Sequence, residues 1–233
     1  MIEPNTEQKF LRRIKSFVKR DGRLTDAQNE AFENHWQQYG INLTDDLVDF
    51  EELFARKAPT ILEIGFGSGF SLLEAAKKYP ENNYIGIETH KPGLGCLIHK
   101  LKLDEVENVK VFYADAVEVL NKCIKDSSLA GIQLFFPDPW PKRKHHKRRI
   151  IQPEFVKLLA SKLQVGGELH LATDWEHYAM HMMQVLTDAP DFVNTVAENC
   201  FAERSEQRPI VTKFEKRGKD RGHGVWELLF KRK

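Results

Sequence analysis

The stretch TILEIGFGSGF, residues 60–70, decides the fold of this 233-residue chain. Its first five residues are mostly apolar or β-branched, which predicts a buried strand. Three glycines follow at alternate positions, Gly65, Gly67 and Gly69, and a helical pattern begins directly after them. A strand that breaks into a glycine turn and continues as a helix is typical of the ligand-binding edge of an α/β sheet.

The spacing of these glycines narrows the choice of ligand. A dinucleotide fingerprint, G-x-G-x-x-G, requires its third glycine at position 70, where this chain has Phe70. The observed pattern, E-x-G-x-G-x-G from Glu63 to Gly69, is instead similar to the one found in S-adenosylmethionine-dependent methyltransferases. Since that cofactor carries no phosphate, a turn without lysine suits it. The sequence therefore favours S-adenosyl-L-methionine over NAD.

Strands and helices alternate along most of the chain. Predicted strands lie at 60–67, 83–88, 109–115, 131–138, 167–174 and 225–230, and predicted helices at 71–80, 92–104, 153–163 and 175–186. A further helix is expected to end near residue 125. Alternation at this interval predicts an α/β fold with a doubly wound, Rossmann-like sheet. The sheet is expected to be mostly parallel, with an antiparallel C-terminal strand and helices on both faces.

Four successive predicted strands end in an acidic residue: Glu88, Asp115, Asp138 and Asp174. Ligands of such sheets lie at the carboxyl ends of the strands, so these side chains are expected to share one edge. A carboxylate at Glu88 is placed to accept both ribose hydroxyls, and one at Asp115 to receive the adenine amino group. The methyl group to be transferred is then expected near Asp138.

The charge of the chain is unevenly distributed, although its formal net value is only +1. Residues 9–23 hold seven Lys or Arg and one Asp, whereas residues 24–56 hold eight acids and one Arg. Apolar residues recur at helical spacing between Phe10 and Val18, which predicts an amphipathic helix. Its charged face is interpreted either as a solvated surface or as a basic arm that touches nucleic acid. We expect residues 1–40 to form a basic, partly flexible extension of a single domain at 41–233.

Cysteine usage and the absence of long apolar runs favour a cytoplasmic protein. Three cysteines without CxxC spacing leave one unpaired in any disulfide scheme, which suits a reducing compartment. The first residues lack the apolar centre of a signal peptide, and no apolar run approaches the ~20 residues that span a bilayer. His177 and His181 have the spacing of a zinc pair but lack further ligands, so no metal site is expected.

The motif FFPDPWPKRKHHKRR, residues 135–149, combines a rigidly held acid with a dense positive field. Pro137 and Pro139 restrict the backbone on both sides of Asp138. Trp140 is interpreted either as a plate that stacks on a base or as a side chain that fills the core. The basic segment, Lys142–Arg149, is expected to face phosphates. The alternatives for it are a nuclear localisation signal and a solvated loop.

Taken together, these motifs resemble the tRNA (guanine-N7-)-methyltransferase family over residues 35–230. The resemblance rests on LEIGFGSG (62–69), GIETHKPG (86–93), ADA (114–116), FFPDPWPKRKHHKRR (135–149), ATDW (172–175) and TKFE (212–215). It implies a methyltransferase domain in which Asp138 is the catalytic residue. The implied cofactor contacts are Glu63, Gly65, Gly67, Glu88, Asp115 and Asp138. The implied substrate contacts are Lys142, Asp174, Thr212, Lys213, Phe214 and Glu215, and the implied RNA-interacting residues are Lys144, His145, His146, Lys147, Arg148 and Arg149.

The resemblance implies tRNA as the partner, methylated at N7 of its variable-loop guanosine. No membrane, metal or obligate protein partner is expected, and the chain is predicted to act as a monomer or homodimer. One alternative is an amino-methyltransferase for adenine or cytosine, although its motif usually has two adjacent prolines. A second alternative is a non-catalytic RNA-binding protein on the same scaffold. The set of acids at Glu63, Glu88, Asp115 and Asp138 argues against the second alternative.

Overall fold

A twisted eight-stranded sheet forms the centre of the protein in the computed structural model, which describes Ser16, residues 23–209, Glu215 and residues 224–233. The strands are β1 (Gly40–Ile41), β2 (Thr60–Ile64), β3 (Asn83–Glu88), β4 (Val109–Tyr113), β5 (Leu129–Phe135), β6 (Leu163–Thr173), β7 (Phe192–Asn194) and β8 (Trp226–Arg232). The helices are α1 (Asp26–Tyr39), α2 (Phe50–Phe54), α3 (Phe70–Lys78), α4 (Lys91–Leu103), α5 (Ala116–Lys122), α6 (Pro153–Lys162) and α7 (Glu176–Thr187). A 3-10 helix covers Arg143–Arg148.

The strand order, β1-β4-β3-β2-β5-β6-β8-β7, shows the doubly wound topology. Strands β1 to β6 pair in parallel, and β8 runs antiparallel to both β6 and β7. The chain moves outward from β2 to β3 and β4, and then returns to place β5 and β6 on the other side. In sheets of this topology the ligand-binding crevice lies where the direction reverses, which here is at the carboxyl ends of β2 and β5. The predicted parallel sheet with an antiparallel C-terminal strand is confirmed.

Helices cover both faces of the sheet, as predicted. On one face, α1, α3 and α4 contribute apolar side chains such as Leu72 and Leu97 to a buried cluster. On the other face, α5, α6 and α7 enclose a second cluster that includes Leu120, Phe155 and Met182. Burial of such side chains stabilises the fold by about 1.5–3 kcal/mol each. The two clusters hold the sheet rigid, so that the loops at its edge start from fixed positions.

The predicted boundaries differ from the structure where local backbone geometry overrides the apolar pattern. The strand predicted at 131–138 ends at Phe135, because Phe136 adopts a left-handed φ of 51° and cannot continue the extended backbone. β1 and β7 have two and three residues, which is too short for a visible alternating pattern. The acidic stretch before Pro59 contains α1, which starts with a capping box at Thr25.

Several predictions fall on residues outside the described ranges. The amphipathic helix predicted between Phe10 and Val18 lies there, apart from Ser16, and so do Thr212, Lys213 and Phe214. The domain boundary at residue 40 stays a prediction, although α1 packs closely on α4. A Cβ atom on Gly95 of α4 would lie 2.7 Å from the carbonyl oxygen of Gln28 in α1. No helix among the described residues has the length and apolarity needed to cross a membrane.

Candidate active site at the sheet edge

The glycine turn, Gly65–Gly69, lies at the carboxyl end of β2. Gly65 and Gly67 have φ values of 73° and 61°, in the region that favours glycine. A Cβ atom on either residue would meet no other atom within 4 Å, so the turn exposes bare backbone to the crevice. On its other side the turn touches α4, because a Cβ atom on Gly93 would lie 2.0 Å from the carbonyl oxygen of Gly67. The turn therefore packs against α4 on one side and leaves its backbone accessible on the other.

Glu88, at the end of β3, fixes the conformation of the glycine turn. One carboxylate oxygen accepts a hydrogen bond from the backbone N–H of Gly67 at 2.8 Å. The other accepts from the backbone N–H groups of Thr89, at 2.6 Å, and His90, at 3.0 Å. An ionised carboxylate has about four lone-pair sites, so the oxygen that faces Gly67 retains capacity for a ligand hydroxyl. The predicted ribose contact of Glu88 stays a prediction that this geometry permits.

Glu63, in β2, is a buried acid directly beneath the glycine turn. Its side chain is only 3% exposed, and one carboxyl oxygen finds no hydrogen-bond partner among the described residues. Burial and the nearby charge of Glu88 raise the pKa of Glu63 to about 8. Glu63 is thus predominantly protonated at neutral pH in the ligand-free protein, and a cation placed beside it would favour its ionised form.

We predict that Glu63 makes the protein less stable as the pH rises. The folded state holds a proton that the unfolded chain releases near pH 4.5, so the free energy of unfolding falls between pH 4.5 and about 8. One such proton contributes a slope of up to ~1.4 kcal/mol per pH unit. Glu63→Gln, which cannot ionise, should flatten that slope in urea unfolding measured at pH 5, 6.5 and 8. An unchanged slope in the variant would show that Glu63 ionises normally in the folded protein.

Asp115 lies after β4, where it begins α5. Its carboxylate accepts a hydrogen bond from the backbone N–H of Val117 at 2.9 Å and so caps the helix. The residue is buried at the same edge of the sheet as Glu88, because β3 and β4 pair in parallel from Tyr84 and Val109 to their ends. Asp115 thus has a structural task in addition to its predicted contact with the cofactor.

The Asp138 turn, Phe136–Trp140, projects from the end of β5. Both of its terminal residues have left-handed backbones, with φ values of 51° at Phe136 and 45° at Trp140. Such values cost on the order of 1–3 kcal/mol for bulky residues and persist only where neighbouring structure holds them. Asp138 itself is exposed and forms no hydrogen bond or ion pair with any part of the chain that the structure describes. The strained turn therefore presents, at the sheet edge, a carboxylate that is available to bind a ligand.

The indole of Trp140 contacts Ser16 near the N-terminus and two residues of the basic segment. Its N–H donates to the backbone carbonyl of Ser16 at 3.1 Å. The guanidinium of Arg148 lies 4.1 Å from the ring centroid, and the ring of His145 approaches edge-on at 5.9 Å. The indole therefore links Ser16 to the Asp138 turn, and one of its ring faces is covered by the Arg148 guanidinium.

Arg149 departs in character from the rest of the basic segment because it is buried, with only 2% of its surface exposed. Its Nε donates to the carbonyl oxygen of Pro139 at 2.9 Å, and a terminal nitrogen lies 3.2 Å from Nδ1 of His177. The guanidinium also lies 4.7 Å from the ring centroid of Tyr178, and burial lowers its pKa. Arg149 ties the Asp138 turn to α7. The sequence gives one signal that the chain enters the core here, the apolar pair Ile150–Ile151 that follows Arg149.

Four cations of the basic segment are presented to solvent, whereas Arg148 is half-buried. Lys142, Lys144 and Lys147 are exposed, as is Arg143, while His145 and His146 are half-buried. The imidazole of His146 lies 5.0 Å from that of His177, and burial together with Arg149 lowers its pKa. The basic segment therefore offers three exposed lysines beside the Asp138 turn.

The predicted substrate residues lie in two places. Asp174 is half-buried just past β6, and since Phe135 is in register with Ala172, the turns after β5 and β6 emerge side by side. Thr212, Lys213 and Phe214 lie outside the described residues. Glu215 is buried and forms ion pairs with Arg204 and Arg208. Its predicted contact with the substrate stays a prediction. Among the described residues, no group of three or more His, Cys, Asp or Glu could hold a metal ion.

Comparisons with known proteins identify the family. A family model described as "Putative methyltransferase" matches residues 57–228, more than half of the chain. The tRNA (guanine-N(7)-)-methyltransferase of Shewanella piezotolerans is 53% identical over 99% of this chain and 97% of its own length. The enzyme of the same name from Psychromonas ingrahamii is 54% identical over 97% of this chain and 92% of its own. This chain belongs to the tRNA (guanine-N7-)-methyltransferase family.

Solved structures with low sequence identity share the fold of this family member. The 16S rRNA methyltransferase KamB is 15% identical, with a TM-score of 0.54, over 94% of this chain and 98% of its own. TrmN from Thermus thermophilus is 17% identical, with a TM-score of 0.53, over 77% of this chain and 45% of its own. The methyltransferase fold expected from the resemblance is confirmed.

Proposed function

We propose that this protein transfers the methyl group of S-adenosyl-L-methionine to N7 of the variable-loop guanosine in tRNA, which gives 7-methylguanosine. The observation that carries the proposal is the position of Asp138. Its exposed carboxylate stands on a strained turn between the glycine turn and the three exposed lysines. That arrangement fits an enzyme that brings a cofactor, a base and a phosphate backbone to one point.

The residues at the crevice fit S-adenosyl-L-methionine. Bare backbone at Gly65 and Gly67 leaves room for close approach, and Glu88 offers a free lone pair to a hydroxyl. The unpartnered, buried oxygen of Glu63 suits a ligand that brings a hydrogen-bond donor or positive charge. When bound, this cofactor supplies an electrophilic methyl group on a positively charged sulfur. Glu63, Gly65, Gly67, Glu88, Asp115 and Asp138 are the residues that would hold it.

The chemistry of N7 decides which tasks the acids at the sheet edge must perform. This nitrogen has an available lone pair and carries no proton, so no general base is needed before it attacks the methyl group. Asp138 and Asp174 can accept hydrogen bonds from N1–H and the 2-amino group of guanine, which fixes the edge that faces the cofactor. An ionised carboxylate also stabilises the positive charge that arrives on the purine. We assign the orienting role to Asp138.

Transfer of labelled methyl groups from S-adenosyl-L-methionine to unmodified tRNA, followed by nucleoside analysis, tests the proposal. The expected product is 7-methylguanosine, and a matched tRNA with adenosine in place of the variable-loop guanosine should accept no label. Label on another nucleoside would favour the amino-methyltransferase alternative. Absence of transfer despite binding of tRNA would favour the non-catalytic RNA-binding alternative.

We further propose that the enzyme works in the cytoplasm, without metal or an obligate protein partner, as a monomer or homodimer.

The exposed lysines of the basic segment are expected to bind the tRNA backbone. Replacing Lys142, Lys144 and Lys147 with alanine should weaken tRNA binding and reduce the slope of log K against log salt by ~0.7–0.9 for each phosphate that the protein no longer neutralises. A matched triple variant at Lys57, Lys102 and Lys125 removes exposed lysines from the amino-terminal edge of the sheet and should leave the slope unchanged. Filter binding from 50 to 300 mM salt gives both slopes. Equal slopes for the two variants would return the segment to the solvated-loop interpretation.

A further inference from the structure

A buried polar cluster lies behind the Asp138 turn, and the proposed chemistry gives no task to three of its four members, His170, Arg208 and Glu227. It consists of His170, Arg208, Glu215 and Glu227, each no more than 2% exposed. His170 and Glu227 are diagonal neighbours on the paired strands β6 and β8, because Glu227 is in register with Ala172. Arg208 and Glu215 come from the chain between β7 and β8. Neither charge pattern nor periodicity marks Arg208 in the sequence as anything but a surface residue.

Arg208 is the centre of this cluster. Its Nε donates to one carboxylate oxygen of Glu227 at 3.0 Å, and a terminal nitrogen donates to the same oxygen. The other terminal nitrogen donates to Glu215. The planar guanidinium thus joins two acids that lie on different segments, and its rigid fork fixes their relative position.

Glu227 extends the cluster into the sheet. Its second carboxylate oxygen lies 2.6 Å from Nε2 of His170 and accepts from the backbone N–H of Ser205 at 3.3 Å. Burial opposes ionisation of Glu227, but the hydrogen bonds from His170 and Arg208 outweigh it and hold its pKa below the ordinary value. The acid is therefore ionised at neutral pH and anchors Arg208 firmly.

The cluster also touches the root of the Asp138 turn. The guanidinium carbon of Arg208 lies 5.9 Å from the ring centroid of Phe135 and 5.4 Å from that of Phe136. His170 contacts Phe135 edge-on at 4.8 Å. Phe136 is the left-handed residue from which the turn departs, and its backbone N–H is fixed by the carbonyl of Ala172 at 2.8 Å. Its ring is thus held from one side by Arg208.

We propose that Arg208 is a positioning residue for methyl transfer, which keeps the root of the Asp138 turn and Glu215 in one rigid frame. This inference rests on the proposed function, since it assigns a purpose to the placement of Asp138. Glu215 is the last residue of the TKFE motif, which the resemblance assigns to the substrate, so Arg208 anchors that motif at its final residue. Apolar side chains of similar volume often stabilise a fold as well as a buried ionic cluster does. What the guanidinium fork of Arg208 adds is a fixed geometry between the two acids that it joins.

The test replaces Arg208 with lysine, which keeps the charge but loses the fork. Single-turnover methylation at saturating cofactor and tRNA should slow by about 10- to 100-fold, because small displacements of reacting groups cost rates of that order. The dissociation constants of both ligands should change less than about threefold. Lys162→Met removes another buried cation, which bonds Asp126 at the amino-terminal edge of the sheet, and should leave the rate unchanged. A wild-type rate in Arg208→Lys, or an equal loss in Lys162→Met, would overturn the inference.

A second variant tests the path from Arg208 to the turn. Phe136→Leu removes the ring that Arg208 contacts while it leaves the polar cluster intact. If Arg208 acts through that ring, the double variant Arg208→Lys/Phe136→Leu should methylate no more slowly than the slower of the two single variants. A double-variant rate reduced by the product of the two single losses would contradict the path.

Asp138→Ala, measured beside these variants, separates this inference from the proposed function. An inactive Asp138→Ala with a fully active Arg208→Lys would reject the inference alone, and an active Asp138→Ala would reject the proposed role of Asp138.

Discussion

Asp138→Ala should lower the single-turnover rate of tRNA methylation at least ~1000-fold while the affinity for tRNA changes less than about threefold. Loss of one positioned group in a transition state commonly costs rates of this order. Affinity is spared because one exposed acid contributes little to a surface that binds phosphates through lysines. Quench-flow measurement of labelled 7-methylguanosine, with filter binding on the same samples, gives both quantities.

Asp138→Asn separates the two roles that a carboxylate can play at this position. The turn is exposed, and in water a bare charge interacts weakly with a charge that develops several ångströms away. Hydrogen bonds to the guanine edge are therefore expected to matter more, and the asparagine carbonyl can still accept one of them. We expect Asp138→Asn to be about 10- to 100-fold slower than the wild type, and so well above Asp138→Ala. Equal rates for the two variants would instead assign the charge-stabilising role.

Asp45→Ala provides the matched control for these variants. Asp45 is an exposed acid that pairs with Lys122 near the amino-terminal edge of the sheet, far from the glycine turn. Exposed pairs of this kind contribute little to stability, so this variant should fold and methylate as the wild type does. A substantial rate in Asp138→Ala would exclude Asp138 as the catalytic residue and direct attention to Asp174.

The sequence predicted the parts of the site that depend on the backbone. Gly65 and Gly67 were predictable because their backbone conformation is one that only glycine adopts readily. Glu88 was predictable because it ends a strand that the apolar pattern shows. Strand alternation then brings the acids to one edge without any knowledge of side-chain contacts. These features are local or follow from topology, and so a single sequence contains them.

Long-range side-chain contacts explain what the sequence could not supply. Arg149 looks like one more cation of a basic run, yet it is buried against Pro139 and Tyr178. Arg208 bonds to Glu227, 19 residues away, and nothing local marks either of them as buried. A charged residue enters the interior only where several distant segments supply partners, and those partners are known once the fold is complete.

The second large effect is expected from Arg149→Met, which should slow methylation at least ~100-fold without a matching loss of tRNA affinity. The substitution removes the donor that holds the carbonyl of Pro139, so the strained backbone between Pro139 and Trp140 is free to relax and Asp138 shifts. The free energy of unfolding should change by less than about 2 kcal/mol. The removed hydrogen bonds and the relieved burial of a cation oppose each other.

Lys147→Met is the matched control, because it removes an exposed cation from the 3-10 helix that Arg149 directly follows. This variant should reduce the salt slope of tRNA binding and leave the rate at saturating tRNA unchanged, which is the reverse of the pattern expected for Arg149→Met. The comparison is decisive because the resemblance assigns both residues to the RNA-interacting stretch, whereas the structure separates them by burial. A reduced salt slope with an intact saturating rate in Arg149→Met would mean that Arg149 leaves its buried position to bind a phosphate. In that case the Asp138 turn keeps its shape without Arg149, and the contacts of Phe136 and Trp140 alone must hold it.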